Sequence, residues 1–105
     1  MLHSTIDYVP NKEIADVLGV VRGTSVRAKW FGADFLSGLK NMVGGELTQY
    51  MNLLSEAREK AMERMDKDAE ELGADAIIGM RFMTSQIAQG AAEILVFGTA
   101  IKLKK

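Results

Sequence analysis

The sequence predicts an α+β domain in which an antiparallel sheet carries one long helix. Three observations point to it. Glu46 to Leu72 has no internal Gly or Pro and repeats apolar residues at helical spacing. Runs rich in β-branched and aliphatic residues flank it, at Ile14 to Val21 and at Ala74 to Thr84. The last run, Ala92 to Leu103, alternates like a strand yet is apolar on both faces. One side carries Ile94, Val96 and Ala100, and the other carries Leu95, Phe97, Ile101 and Leu103. One helix covers one face. Leaving the second set in water would forgo about 6–12 kcal/mol, at about 1.5–3 kcal/mol per large side chain. That is comparable with the roughly 5–15 kcal/mol that stabilises a whole domain. The sequence therefore predicts a protein that works as more than one copy.

A short N-terminal strand is expected before the turn Tyr8-Val9-Pro10-Asn11-Lys12, which holds the only proline. The strand from Ile14 to Val21 is interrupted at Gly23-Thr24, and Ser25 to Ala28 continue it after a kink or bulge. Phe31, Phe35, Leu36, Leu39, Met42 and Val43 predict a short helix from Ala33 to Asn41, and Gly44-Gly45 breaks the chain after it.

The long helix spans about 40 Å at ~1.5 Å per residue. Its stripe is Leu47, Tyr50, Met51, Leu54, Ala57, Ala61, Met65, Ala69 and Leu72. Glu56, Glu59, Lys60, Glu63, Lys67, Glu70 and Glu71 fall on the solvent side, with Glu63 and Lys67 at favourable i,i+4 spacing. Gly73 ends the helix. In the following strand Ile78, Met80 and Phe82 are expected on one face, and Ser85 to Gly90 connect it to the last strand. The final two strands form a hairpin with the long helix on one side.

Composition narrows the function classes. The 105 residues fit a single domain, residues 1–105. A net charge of −1 gives no basic excess for nucleic acid or an anionic membrane surface. No stretch approaches the roughly 20 apolar residues of a membrane span. The N-terminus lacks the pattern of a signal peptide. Cysteine is absent, which removes disulfides, thiolate metal sites and thiol catalysis and suits a cytoplasmic setting.

Few residues carry chemistry. His3 is the only histidine and reads as a solvated terminal residue; alone it makes neither a triad nor a three-ligand zinc site. The seven methionines read as core filler rather than copper ligands. Asp66, Asp68, Glu70 and Glu71 read as a solvated helix face. Gly38, Gly44 and Gly45 form no phosphate-binding motif, and Glu46 competes with any anion at the start of the long helix. Arg22, Arg81 and Glu93 fall where a strand would bury them. They read as an Arg–Glu pair within or between subunits, or as a polar pocket at a subunit boundary with Tyr50, Thr84 and Ser85.

Ordered blocks complete the pattern. They are Val17-Leu18-Gly19-Val20-Val21-Arg22-Gly23, Gly38-Leu39-Lys40-Asn41, Val43-Gly44-Gly45-Glu46-Leu47, Tyr50, Glu56-Ala57-Arg58 and Leu72-Gly73-Ala74-Asp75-Ala76. Arg81-Phe82, Gln89-Gly90 and Glu93-Ile94 through Gly98-Thr99-Ala100 follow. With these blocks the chain resembles the YbjQ-like family of small uncharacterised proteins, labelled "putative heavy-metal-binding". The resemblance implies a dodecin-like β-α-β-β unit and a homo-oligomeric ring, a pentamer, in which short strands cross between subunits. It departs from the family pattern at Lys29-Trp30-Phe31-Gly32-Ala33. A bound metal ion is implied by the family label only. This chain offers Glu46, Glu93 and other oxygen ligands, which match soft ions poorly.

The reading that follows is a non-catalytic binding module holding a small ligand or ion at subunit boundaries through Arg22, Glu46, Tyr50, Arg81, Ser85 and Glu93. The alternative is a structural assembly without its own ligand. Catalysis ranks last, because no nucleophile–base pair assembles around one histidine.

Overall fold

The computed structural model describes residues 1–28, 45–88 and 91–105; the side chains of residues 27–28, 45–47, 49–50, 86–88 and 91 lie outside the description. The short helix expected from Ala33 to Asn41 falls outside the described residues, as does Gly44; Gly45, expected to break the chain with it, is instead the first residue of the long helix. The elements are β1 (Leu2–His3), β2 (Ile14–Ala28), α1 (Gly45–Glu71), β3 (Ala76–Ala88) and β4 (Ala91–Leu103). They form a four-stranded sheet in the order β1-β3-β4-β2, with α1 on one face. The three long strands are antiparallel neighbours, and β1 joins the edge of β3 in parallel. The sheet is therefore mixed rather than purely antiparallel.

The stripe on α1 is built from small residues where it meets the sheet. Ala57, Ala61, Met65 and Ala69 are fully buried against Val21, Ile77, Ile94, Val96 and Ala100. Small side chains let the helix backbone lie close. At Gly23 in β2 a Cβ would overlap the Ala61 carbonyl oxygen and crowd the Met65 backbone nitrogen. This close approach, rather than a break in the strand, explains Gly23, and β2 runs on unbroken to Ala28. The expected stripe loosens at its ends, where Met51 and Leu72 are exposed. Glu56, Glu59, Lys60, Glu63, Lys67, Asp68, Glu70 and Glu71 are exposed as expected, with an ion pair Lys60–Glu63 at 3.5 Å, but Asp66, also expected in solvent, is half-buried. The helix ends before Gly73, which has a φ of 78°.

The second face of β4 has a partial cover from the N-terminal segment of the same chain. After β1, Ser4 and Ile6 exchange backbone hydrogen bonds with Ile77, Gly79 and Met80. The chain then turns at Pro10-Asn11, where Asn11 has a φ of 66° and Lys12 N–H donates to the Val9 carbonyl. Val9 packs on Ala76, Ile78 and Ile101, with Ile14 and Leu103 at the margin. Ile101 is thus buried inside one chain. Leu95 and Phe97, farther along the same face, stay partly exposed.

Candidate functional site

Two bulges decide which side chains reach the sheet face opposite α1, which is helix-free among the described residues. In β2, Val17 pairs with Ile101 but Gly19 pairs with Ala100, so one extra residue is inserted. In β3, Ile78 pairs with Thr99 but Arg81 pairs with Phe97, so again one is inserted. Each insertion turns the strand over, because side chains alternate with a period of two. Gly19 (φ 138°) and Gly79 (φ 62°) supply the backbone conformations that other residues avoid. The face expected for Ile78, Met80 and Phe82 is corrected by the second bulge. Ile78 packs with Val9 on the helix-free side, whereas Phe82 pairs with Val96 on the helix side.

Beyond the bulges the helix-free face reads as rows across three strands. Arg22, Phe97 and Arg81 form one row. Thr24, Leu95 and Met83 form the next, and Val26, Glu93 and Ser85 the third. Arg22, Arg81, Ser85 and Glu93 therefore share one face. Thr84 pairs with Ile94 on the opposite face and cannot join them. Glu46 and Tyr50 belong to the first turns of α1, and their side chains are outside the described residues.

The charges are not buried as the strand pattern suggested. Arg22 and Arg81 are exposed, and Glu93 is half-buried. No ion pair joins either arginine to a carboxylate among the described residues. Register gives the reason: Glu93 lies four residues from Phe97 along β4, about 13 Å at ~3.3 Å per residue. Arg22 and Arg81 therefore do not pair with Glu93 within one subunit. Arg81 has a different anchor. Its Nη1 donates to the Thr5 carbonyl at 2.6 Å and the Met80 carbonyl at 2.8 Å, which ties the crossing N-terminal segment to β3.

His3 also departs from expectation. Its Nε2 lies 2.6 Å from Asp66 Oδ1, with side chains 22% and 24% exposed, so it links β1 to α1 rather than standing in solvent. A separation of 63 residues left no local signal for this contact. Phe97 was legible only as an apolar strand residue. The isolated glycines Gly19 and Gly79 inside strand patterns were the signal for the bulges that surround it with arginines.

The comparisons bear on this whole unit. A protein family described as "Putative heavy-metal-binding", YbjQ, matches residues 1–104. The chain belongs to the YbjQ family. A UPF0145 protein of Methanosarcina acetivorans is 53% identical over 103 residues, covering 98% of this chain and 97% of its own. A UPF0145 protein of Colwellia psychrerythraea is 51% identical over 105 residues, covering 100% of both. A crystal structure from Pediococcus pentosaceus, described as a protein with unknown function of the DUF74 family, matches with a TM-score of 0.66. It is 20% identical and covers 99% of this chain and 98% of its own, so it supports the α+β fold.

A soft heavy-metal ion does not fit the donor set of this YbjQ chain. There is no cysteine, and the one histidine is held by Asp66. No group of three His, Cys, Asp or Glu side chains converges among the described residues. Of the methionines, Met65 is buried in the core and Met62 and Met80 pack against it, while Met83 lies on the other face beside Leu95. Met62, Met65 and Met80 fill space at the core, and Met83 is exposed on the opposite face, so they do not converge as ligands. Among the described residues no helix is long and apolar enough to cross a membrane.

Proposed function

We propose that the protein is a non-catalytic, homo-oligomeric binding module. It covers its helix-free sheet face with neighbouring copies and holds a small ligand where they meet. The observation that carries this reading is the surface left open beyond Val9. Val20 is 76% exposed and Met83 59%, with Val26, Leu95 and Phe97 beside them. Exposed large apolar side chains grouped on one strand face among polar ones suit an interaction site. The outer part of β3 adds to it, since Arg81 to Ser85 are all exposed. The Cα radius of gyration of 16.8 Å exceeds the roughly 13 Å of a compact 100-residue domain, and the extents of 52 × 22 × 16 Å describe an elongated protomer.

A ring of five copies is the stoichiometry that the family resemblance implies. Arg22, Arg81, Ser85 and Glu93 supply polar groups on the covered face, with Glu46 and Tyr50 as further candidates from the helix start. The non-catalytic part rests on the residue inventory: one histidine and no cysteine. A cytoplasmic setting suits a chain without cysteine.

Sedimentation of the wild-type chain and Leu95→Lys tests the assembly. The wild type sediments as an oligomer, and the lysine, placed in the middle row of the open face, dissociates it while the helical circular dichroism persists. A wild-type monomer, or an assembly indifferent to Leu95→Lys, would overturn the reading.

A further inference from the structure

The Arg22–Phe97–Arg81 row is assembled by two separate irregularities. Had β2 continued in the register of Val17 with Ile101, Arg22 would fall beside Val96, under α1. Had β3 continued in the register of Ile78 with Thr99, Arg81 would fall beside the same Val96. One inserted residue in each strand instead brings both arginines to the open face. Keeping charge out of the core accounts for the change of face. It does not account for both arginines arriving opposite the same aromatic, since Thr99 and Leu95 offered other places on that face.

The geometry of the row suits one class of ligand. β2 and β3 stand on either side of β4, about 10 Å apart at ~4.8 Å per strand spacing. Phe97 lies between them in register and is half-buried, and a phenyl ring is a stacking partner for a flat aromatic molecule. Arg81 is held by two backbone carbonyls through Nη1 alone, so its remaining N–H donors are committed to neither of them. No carboxylate forms an ion pair with Arg22 or Arg81 among the described residues. Planar guanidinium forks recognise carboxylate and phosphate oxygens through paired hydrogen bonds.

We propose that Arg22, Phe97 and Arg81 bind a flat aromatic molecule bearing anionic oxygens, carboxylate or phosphate, with its ring on Phe97 and its charge on the arginines. This rests on the binding-module reading and names the ligand class for it.

The test uses the full chain and benzene-1,4-dicarboxylate as probe, with its neutral diamide and inorganic phosphate as controls. Isothermal titration reads binding, and native mass spectrometry of the same samples reads assembly. The dicarboxylate is expected to bind with a Kd in or below the millimolar range and at least about tenfold more tightly than either control. Arg22→Ala and Phe97→Leu each weaken it by about tenfold or more while the oligomer stays intact, and Arg22→Lys restores only part of the loss. Absence of saturable binding, equal binding of inorganic phosphate, or unchanged binding by Arg22→Ala would overturn the site. So would dissociation of the oligomer by Arg22→Ala, which would assign the arginine to a carboxylate of a neighbouring copy. A binding monomer would leave the site standing and remove the assembly, whereas an oligomer that ignores the probe would do the reverse.

Discussion

At the scale of single residues, Ser25 and His3 carry opposite lessons. Ser25 faces α1 and is fully buried, and its Oγ has no hydrogen-bond partner among the described residues. A buried unsatisfied hydroxyl costs about 1–3 kcal/mol. Ser25→Ala is therefore expected to leave stability unchanged or raise it by about 1 kcal/mol in a urea melt; a loss of that size would reveal a partner for the hydroxyl. His3 is the reverse case, a side chain that the sequence left in solvent and the fold spends on Asp66. His3→Ala should cost about 1 kcal/mol. It should also speed exchange of the Ser4 amide, which donates to the Ile77 carbonyl next to β1. Unchanged exchange there would mean that β1 holds without the contact. The charged side chains were legible as a group but not in their pairing. Arg22, Arg81 and Glu93 were picked out because strands dislike charge, yet their distances depend on register, and register depends on bulges that hydropathy does not encode.

At the scale of elements, periodicity located the long helix and the last strand closely. The helix was expected from Glu46 to Leu72 and runs Gly45–Glu71, and the strand expected from Ala92 to Leu103 runs Ala91–Leu103. Period-3.6 and period-2 signals are strong over such lengths. Faces were legible only between irregularities. The pattern Ile78, Met80, Phe82 looks continuous, but the residue inserted after Ile78 divides it between two sides. Glycine showed the same ambiguity: Gly23 looked like a break and is a point of contact between strand and helix. Because the Ala61 carbonyl oxygen occupies the space a Cβ would need, Gly23→Ala must push α1 away from β2. Overpacking of this kind costs about 1–3 kcal/mol. A value near the upper end is expected in chemical denaturation, and a neutral result would mean the helix is not seated on β2 as described.

At the scale of the whole molecule, the apolar second face of β4 divides into two parts. Residues 4–13 cross its near end and bury Ile101 beneath Val9. The rest, from Val20 and Phe97 to Val26 and Met83, has no such cover within the described residues. Among the described residues, one helix and a short crossing segment face strands of 13 to 15 residues. The excess was visible in the sequence as alternation without a polar side. Its position was not, because the cover supplied by Val9 comes from a segment that reads as a turn. In the proposed assembly other copies of the chain complete this face. Native mass spectrometry of the untreated, full-length protein tests it most directly. The expected species is a closed oligomer at a whole multiple of 11.5 kDa, five copies in the ring the family resemblance implies. A spectrum holding only the 11.5 kDa chain at working concentration would contradict it.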